Sequence, residues 1–430
     1  MTQPTARPFA TSPLDARDKG YPANAPPLRP GQIGAQGWQV LAGDLPLPLA
    51  VLKRSRLQHN LGWMQQQVAR AGIALAPHGK TTMSPELFAA QMAAGAWGIS
   101  FATVQQLAVG VAAGVPRALI ANQVVQAADL RALAALLQAQ PGLQAPFFID
   151  SPAQLALVEA ARLPMALAVL VELGLAGGRT GCRSQAEALA LARAARASRA
   201  VRLVGLTTYE GLWGQGDNAA DRALAQGLMD GLQALARTCD AEDLFEGEQI
   251  LLSAGGSALF DLVMPGLTMT GLSRPVQGLL RSGCYLTHDD GHYRRLVALA
   301  NQRLGCPDGQ GLQAALQVWA MVQSCPEPGL ALLNAGKRDL SFDMGLPSPV
   351  AWAAAGERVA QPSPADWAIT GLNDQHAYLR WPAVSAEAAP QVGDRVALGI
   401  SHPCTTFDKW RWMAVVDDDL RVVDAITTRF

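Results

Sequence analysis

Short apolar segments alternate with amphipathic helical segments between about residue 46 and residue 290, and this alternation limits the possible folds more than any other feature. About eight β-like segments recur at a spacing of roughly 25 to 40 residues, which is the rhythm of a (β/α)8 barrel. An open, doubly wound sheet is the competing architecture, but no GxGxxG motif follows the first segment. The segments are GIALAP, WGISFA, ALIANQ, PFFID, MALAVLVEL, VRLVGLTTY, QILLSAGG and a last strand near 268–272 or 279–286.

Helix signals fill the intervals between these segments. Ser84 is predicted to cap a helix that has Pro85 at its first position and stops at Gly95. Helices that follow other strands are predicted at 104–113, around 129–138, at 184–197 and at 217–238.

Changes in composition and in the spacing of apolar segments divide the chain into three parts. Residues 1–45 are rich in Pro and Gly and indicate an extended N-terminal arm, which we expect to pack on the β domain. Residues 46–290 form the predicted barrel. From 291 to 430, segments such as LQVWAMVQSC and RVALGISH are β-rich, separated by turns and short of helix signals, and they predict a C-terminal all-β domain.

Composition excludes several classes of function. The 34 basic and 35 acidic residues are spread along the chain and give a formal net charge of -1, which argues against nucleic acid as a partner. No apolar run reaches the roughly 20 residues of a membrane span, and the N-terminal segment lacks the apolar centre of a signal peptide, so we expect a cytoplasmic protein. The six cysteines include no CxxC pair and do not indicate a disulfide framework.

Polar residues follow several of the predicted barrel strands, where (β/α)8 enzymes carry their chemistry. Lys80 follows the first strand beside His78 and Gly79, although a surface lysine would give the same pattern. The turn SAGGS, residues 253–257, is either a plain turn or an anion cradle, because glycines let backbone N–H groups approach a phosphate closely. A lysine and a phosphate cradle at one barrel end together indicate pyridoxal 5'-phosphate.

Seven motifs occur in the order seen in one family: PHGKTTMSPELFAAQMAAGAWGISFATVQQ, ELGLAGGRTG, TTYEG, LSAGGS, RSGCYLTHD, LNDQHAYLR and GDRVALGISHPCTT. Over residues 45 to 415 the chain resembles the fold-type III pyridoxal-phosphate family that contains D-serine dehydratases and D-threonine aldolases. That family has an alanine-racemase-like architecture, a (β/α)8 barrel followed by a β domain, and the resemblance also implies a homodimer.

The resemblance implies roles for individual residues. Lys80 matches the Schiff-base lysine, with His78 beside it on the cofactor side. Arg179 matches an arginine that approaches the cofactor ring, and Tyr209 a tyrosine on its pyridine side. Many relatives carry a histidine after the glycine of TTYEG, but here Leu212 follows Gly211, so that role is not transferable. The remaining cofactor-side residues by this comparison are Ser253, Gly255, Gly256 and Ser257 in the phosphate loop, and Tyr285.

The segment ISHPCTTFDKW is the most discriminating. His402 and Cys404 alternate by two, so on a strand end both would project to one side and could share a metal ion. The pattern alone would equally suit a buried cysteine beside a hydrogen-bonded histidine. The dehydratases that this chain resembles carry a metal-binding His-x-Cys here, whereas the aldolases usually carry His-x-Asp. A thiolate selects zinc, while a carboxylate suits manganese or magnesium.

These features predict a pyridoxal-phosphate- and zinc-dependent lyase that dehydrates a small D-3-hydroxy amino acid, such as D-serine or D-threonine, to a 2-oxo acid and ammonia. The alternative is a metal-dependent D-threonine aldolase. A racemase and a non-catalytic pyridoxal-phosphate carrier are further alternatives. Candidate substrate residues are Gln123, Asp374 and His376, and Asn122 is a candidate for lining the pocket. The run of His288, Asp289 and His292 indicates a polar loop rather than a metal cluster.

Overall fold

The helices and strands of this protein follow the predicted alternation closely. The structure is a computed structural model that describes residues 12–211, 213–307, 309–382 and 389–430. In chain order the strands are β1 (Leu49–Lys53), β2 (Ala74–Leu75), β3 (Ile99–Phe101), β4 (Ala118–Gln123), β5 (Phe147–Ile149), β6 (Leu167–Leu173), β7 (Val201–Thr208), β8 (Ile250–Ala254), β9 (Val276–Leu280), β10 (Leu316–Glu327), β11 (Leu330–Leu333), β12 (Ser348–Ala353), β13 (Gln361–Pro362), β14 (Ala368–Leu372), β15 (Ala377–Arg380), β16 (Arg395–Gly399), β17 (Trp412–Val416) and β18 (Val422–Thr427). The helices are α1 (Pro30–Ile33), α2 (Arg54–Arg70), α3 (Pro85–Ala93), α4 (Val104–Ala112), α5 (Ala127–Ala139), α6 (Pro152–Ala160), α7 (Gln185–Ala197), α8 (Asn218–Ala241), α9 (Phe260–Val263), α10 (His292–Arg303) and α11 (Cys404–Phe407).

Side-chain caps start several of the helices that connect the barrel strands. The hydroxyl of Ser84 accepts a hydrogen bond from the Leu87 backbone N–H at 3.4 Å, with Pro85 at the first position of α3. Beyond the end of α3, Gly95 has a φ of 105°, a conformation that favours glycine. The predicted start and stop of this helix are therefore confirmed.

Eight parallel strands form one curled sheet in the order β2-β9-β8-β7-β6-β5-β4-β3. Its two outer strands meet through a bridge between His78 and Ser100, and the Trp97 N–H donates to the Leu75 carbonyl at 2.7 Å. This contact closes the sheet into a barrel. The predicted (β/α)8 barrel followed by a β domain is confirmed.

Alternate side chains of the barrel strands point to opposite faces, as the period of a strand requires. Phe147 and Ile149 pack outward among the helices, in the main hydrophobic core. Phe148 points inward and packs with Leu119 and Leu170 in a separate small cluster. The barrel interior is thus packed with apolar side chains below the strand ends. The polar and reactive side chains lie at the strand ends and in the loops that follow them.

Two strands differ from the predicted barrel. The last barrel strand is β9, which begins before the second of the two offered ranges and overlaps its start, and residues 268–272 are not a strand. Strand β1 lies in the second sheet, although the predicted barrel starts at residue 46. It pairs antiparallel with β10 and parallel with β17. A short apolar strand carries no signal in its own sequence for the sheet that it joins.

The second sheet is largely antiparallel and runs in the order β13-β12-β16-β10-β1-β17-β18. The far part of β10 pairs with β11, and β11, β15 and β14 extend the sheet from there. Helix α10 lies between barrel and sheet in sequence, so the region from 291 to 430 is not purely β.

The described part of the N-terminal arm is folded rather than extended. Leu14 pairs with Leu28, and α1 follows directly after. Tyr21 and Ile33 pack against Trp412 and its neighbours in a second hydrophobic cluster on the antiparallel sheet. Residues 1–11 of the predicted arm lie outside the described residues. Among the helices of the described ranges, none combines the length and apolar character of a membrane span.

Candidate active site

A cavity of about 420 Å³ opens at the carboxyl ends of the barrel strands, facing the 402–404 segment of the second sheet. Side chains from most of the barrel strand ends reach it. Its polar and reactive lining residues are His78, Lys80, Thr81, Asn122, Glu172, Arg179, Tyr209, Ser257, Arg281, Cys284, His292, Tyr293, His402 and Cys404.

Lys80 lies in a single helical turn, Gly79–Thr81, that follows β2 directly. A side chain at Gly79 would place its Cβ 2.7 Å from Ile99 and 2.9 Å from Phe101, so only glycine lets the turn pack this closely. The side chain of Lys80 is exposed towards the cavity. A lysine between an apolar strand and a helix is thus placed where it can reach a ligand.

His78 precedes this turn, and its Nδ1 is buried without a hydrogen-bond partner among the described residues. Burial, and then the nearby cations of Lys80 and Arg281, hold the pKa of His78 well below its usual value. A neutral imidazole with an unpaired buried nitrogen is a group that a ligand could satisfy.

Arg179 and Tyr209 come from neighbouring strand ends and meet above the cavity. The guanidinium carbon of Arg179 lies 4.8 Å from the centre of the Tyr209 ring. Burial raises the pKa of Tyr209, with a further contribution from the carboxylate of Glu210. The pair forms one polar wall of the cavity.

The glycines of the predicted phosphate loop are hydrogen-bonded to a carboxyl group of the protein itself. The N–H groups of Gly255 and Gly256 donate to the two carboxylate oxygens of Glu210 at 3.1 and 2.6 Å. Burial raises the pKa of Glu210, and these hydrogen bonds oppose the shift. A Cβ on Gly256 would lie 2.8 Å from the Gly211 backbone and 3.2 Å from the Tyr209 ring. The two glycines therefore allow a close approach, but in this structure they hold a carboxylate, and Ser257 presents the loop to the cavity.

A buried arginine that the sequence analysis did not single out supports the cavity from below. Arg281 donates to Thr207 Oγ1 at 2.9 Å, to Ser253 Oγ at 2.5 Å and to the Thr208 carbonyl at 2.9 Å. Its guanidinium lies 5.3 Å from the centre of the Phe148 ring. Ser253, predicted as part of the phosphate loop, is fully buried, accepts a hydrogen bond from Arg281 and does not line the cavity.

Tyr285 and Cys284 are adjacent, but their side chains point in opposite directions. Both lie in the helical turn Cys284–Leu286 after β9. Tyr285, predicted as a cofactor-side residue, is buried in the main core, where its hydroxyl accepts a hydrogen bond from Gln91 at 3.2 Å, and it does not line the cavity. Cys284 lines the cavity instead, and the tyrosine found there beside Tyr209 is Tyr293.

The thiols of Cys284 and Cys404 lie 3.7 Å apart. With His402 they form the one group of possible metal ligands found in the described ranges, and their ligand atoms all lie within 4.8 Å of one another. His402 and Cys404 were predicted as metal ligands on a strand end, but β16 ends at Gly399 and Cys404 begins α11. The loop and helix start still bring both side chains to one side.

The ring of His402 is oriented by hydrogen bonds on the side away from the thiols. Its Nδ1 lies 2.7 Å from Asp343 Oδ2, and the hydroxyl of Thr405 donates to the other oxygen of Asp343 at 2.7 Å. Burial alone would lower the pKa of His402, but Cys404 and Asp343 together raise it to about 9. Hydrogen bonds from the Cys284 thiol and His402 lower the pKa of Cys404, which favours a thiolate at this position.

The predicted substrate residues do not line this cavity. Gln123 donates to Glu172 at 2.5 Å and to Asp150 at 3.2 Å, and it is its neighbour Asn122 that faces the cavity. Asp374 and His376 lie in the β14–β15 turn, where Asp374 is exposed and pairs with Arg338 at 3.6 Å, and neither lines the cavity. Membership of a family motif therefore does not by itself place a side chain in the cavity.

The polar run at 288–292 lies at the start of helix α10 and includes the carboxylate that accepts hydrogen bonds from its first N–H groups. Asp289 Oδ1 accepts hydrogen bonds from the N–H groups of Gly291, Tyr293 and Arg294 at the start of α10. His288 is buried, and burial lowers its pKa to about 4. His292 alone of the three reaches the cavity. Leu212, where the chain departs from the family pattern, lies outside the described residues.

The comparisons with known proteins agree with this architecture. The "Alanine racemase, N-terminal domain" model matches residues 52–274, and the "Putative serine dehydratase domain" model matches residues 315–416. The chain is 28% identical over 398 residues to a D-threonine aldolase of Arthrobacter sp, covering 91% of this chain and 93% of that one. It is 27% identical over 376 residues to the D-threo-3-hydroxyaspartate dehydratase of Delftia sp., covering 84% and 92%.

Among solved structures, a D-threonine aldolase from Filomicrobium marinum superimposes with a TM-score of 0.74 at 24% identity, covering 93% of this chain and 98% of that chain. This likeness supports the fold. The match to the alanine racemase domain covers more than half of the chain. The chain therefore belongs to the alanine-racemase-like, fold-type III pyridoxal-phosphate family that contains the D-serine dehydratases and D-threonine aldolases.

Proposed function

We propose that this protein is a pyridoxal-phosphate- and zinc-dependent dehydratase that converts a D-3-hydroxy amino acid, such as D-serine or D-threonine, to a 2-oxo acid and ammonia. One observation carries the proposal: Lys80, which follows a barrel strand, and the pair His402 and Cys404, which follows a strand of the second sheet, open onto the same cavity. A lysine amine and a soft metal site in one pocket suit an amino-acid substrate that must lose a hydroxyl group.

The residues present fit pyridoxal 5'-phosphate. The unpaired, buried Nδ1 of His78 is a group that a polar ligand would satisfy, and Ser257 opens onto the same cavity. Lys80 would hold the cofactor covalently, Arg179 and Tyr209 would lie beside its ring, and Ser257 beside its phosphate. Because Glu210 occupies the N–H groups of Gly255 and Gly256, we infer that this carboxylate fixes the loop's shape. When bound, the cofactor supplies an electron sink for the α-carbon of the amino acid.

Lys80 is also the simplest base for the α-proton of the substrate. Its amine is exposed to the cavity, and the described ranges place no other lysine in the cavity lining. Proton transfer by a positioned side chain contributes about 10²- to 10⁴-fold to a rate. Glu172 and Arg281 are buried at the floor of the cavity and keep that floor polar and ordered.

His402 and Cys404 fit a zinc ion. A thiolate and an imidazole are ligands that zinc prefers over manganese or magnesium, and Asp343 holds the imidazole ring in place, as outer hydrogen-bond partners of metal-bound histidines do. A zinc ion there would supply a Lewis acid for the hydroxyl leaving group.

The second candidate is a metal-dependent D-threonine aldolase, with manganese or magnesium as the expected ion. The similarity to the D-threonine aldolase of Arthrobacter sp covers 91% of this chain and supports this second candidate. A racemase is less well supported. Tyr378, the tyrosine considered for the second acid/base role, accepts a hydrogen bond from Asn373 in the β14–β15 turn, away from the cavity of this chain. The family resemblance is our basis for proposing a homodimer.

Product analysis with D-threonine tests the proposal. We expect ammonia and 2-oxobutanoate, lost on treatment with a chelator and restored by zinc. Cys404→Ala should abolish this zinc-dependent activity, whereas Cys325→Ala, which changes an exposed thiol on the second sheet, should leave it unchanged. Glycine and acetaldehyde as the products would instead establish the aldolase.

A further inference from the structure

A third possible metal ligand, the thiol of Cys284, lies within reach of the proposed metal site. Cys284 comes from the barrel, in the helical turn after β9, whereas His402 and Cys404 come from the loop and helix that follow β16 of the second sheet. The Cys284 side chain is 6% exposed and faces the cavity. Its Sγ lies 3.7 Å from that of Cys404.

The backbone around Cys284 is built for this position. A Cβ on Gly283 would lie 2.7 Å from the His78 carbonyl oxygen and 2.8 Å from Thr81 Oγ1, so glycine lets the 283–284 backbone approach the lysine turn. The Cys284 N–H donates to Ser257 Oγ at 3.3 Å. Contacts with two barrel loops therefore fix the backbone that carries the thiol.

We propose that Cys284 is a third protein ligand, so that the metal centre is a Cys₂His zinc site with one ligand from the barrel and two from the second sheet. The separation of the sulfurs supports this. Two sulfurs that share a tetrahedral zinc ion at about 2.3 Å are about 3.8 Å apart, and the observed separation is 3.7 Å.

The donor count supports the same assignment. Catalytic zinc sites commonly have three protein ligands and keep the fourth position for water or substrate, and Cys₂His is one of the known sets. With His402 and Cys404 alone the site would be one ligand short. Two thiolates also strengthen the preference for zinc over manganese and magnesium. The fourth position is then the single place at which a substrate oxygen can bind.

A metal held in this way joins the two sheets. Ligands that are far apart in sequence come together only in the folded chain, so the binding free energy of the metal adds to the free energy of unfolding. Zinc should therefore raise the melting temperature, and Cys284 should carry part of that increase. The proposal rests on the metal-dependent function proposed above, but this effect is independent of the reaction that the enzyme catalyses.

Cobalt substitution tests the ligand count without any substrate. Co²⁺ added to metal-free wild-type protein should give thiolate-to-metal charge-transfer absorption of an intensity typical of two thiolates. Cys284→Ser should reduce the intensity by half and weaken zinc, measured by competition with a chromophoric chelator, by more than about 100-fold, the upper limit for losing an outer hydrogen-bond partner. The matched control is Cys239→Ser, which changes a buried thiol in α8 and should alter neither value.

The outcomes separate the inference from the proposed function. A wild-type cobalt spectrum with one thiolate, or equal zinc affinity in wild type and Cys284→Ser, overturns the third ligand. A disulfide between Cys284 and Cys404 in the zinc-loaded protein overturns it as well. If Cys284→Ser fails to fold, the wild-type cobalt spectrum and a second variant, Cys284→Thr, replace it. Zinc should raise the melting temperature of Cys284→Thr less than that of the wild type, and an equal increase overturns the third ligand. A two-thiolate site in a protein that releases glycine and acetaldehyde would uphold the inference and reject the dehydratase.

Discussion

The barrel has a cavity at each end, and the two are almost equal in volume. The cavity at the carboxyl ends of the strands measures about 420 Å³, and the one at the amino ends about 440 Å³. The amino-end cavity is lined by strand starts and the short loops before them, including Trp97, Arg117, Met165, Arg202 and Glu246. Its volume alone would make it an equal candidate for a binding site.

The difference lies in which groups each end gathers. At the carboxyl end, Lys80, two cysteines and several histidines and tyrosines face one another. At the amino end, Arg117 is exposed and lies 5.4 Å from the centre of the Trp97 ring, an ordinary surface contact. In (β/α)8 barrels the carboxyl-end loops carry chemistry and the amino end contributes stability. Chemistry, rather than volume, distinguishes the two cavities.

Removing the reactive amine should give the largest contrast between the two ends. Lys80→Ala is expected to lower kcat about 10²- to 10⁴-fold and to remove the absorbance band of bound cofactor, with little loss of stability, because the side chain is exposed. Arg202→Ala at the amino-end cavity should leave both values unchanged. Steady-state kinetics and absorbance spectra measure this, and activity retained in Lys80→Ala would contradict the assignment of the site.

The buried arginine should show the next largest contrast. Arg281→Met leaves three buried oxygens of β7 and β8 without their donor, so we expect the free energy of unfolding to fall by about 2–3 kcal/mol. Arg117→Met, at the exposed surface of the other end, should cost about 0.5 kcal/mol or less. Urea unfolding of the metal- and cofactor-free proteins compares the two. Equal losses would mean that Arg281 does not organise the carboxyl end.

A smaller contrast should appear in the pH dependence of stability. Burial raises the pKa of Asp289 from 3.8 to about 7, despite the hydrogen bonds that its carboxylate accepts. The folded protein therefore holds a proton that the unfolded chain releases above pH 4. The contribution of Asp289 is complete below its unfolded pKa and is lost as the pH rises through about 7.

Asp289→Asn should remove this slope, with a difference of about 2 kcal/mol between pH 5 and pH 7. Asparagine keeps the oxygen that accepts the N–H groups at the start of α10, so the helix should persist. Glu248→Gln, which changes an exposed residue in the amino-end cavity lining, is the matched control and should keep the wild-type slope. Urea unfolding at several pH values measures the effect, and identical slopes in all three proteins would refute it.

Much of the barrel could be predicted because its signals are local. Apolar runs end at polar residues, and caps such as Ser84 mark helix starts within a few residues. Lys80, His402 and Cys404 were found because short motifs carry them, and all three line the cavity. The sequence therefore predicted the residues at both sides of the site without any knowledge of their distance.

The remainder depends on contacts between distant segments. Cys284 and Cys404 are 120 residues apart, and no spacing rule connects them. Cys284 and Tyr285 are neighbours in one motif, but the helical turn that sends one to the cavity and the other to the core follows from tertiary packing. The same is true of Arg281, whose partners lie on β7 and β8. The motif that contains all three could be recognised, but the directions of its side chains could not.

Strand β1 has a consequence for how the chain is made. Leu49 pairs with Trp319, so β1 emerges from the ribosome long before its partner. The whole barrel is synthesised in that interval, and β1 must remain unpaired until β10 and then β17 follow. Such long-range pairing slows folding and leaves an apolar segment accessible to chaperones. Nor can a single cut in the chain separate barrel from sheet, because the sheet would lose an interior strand.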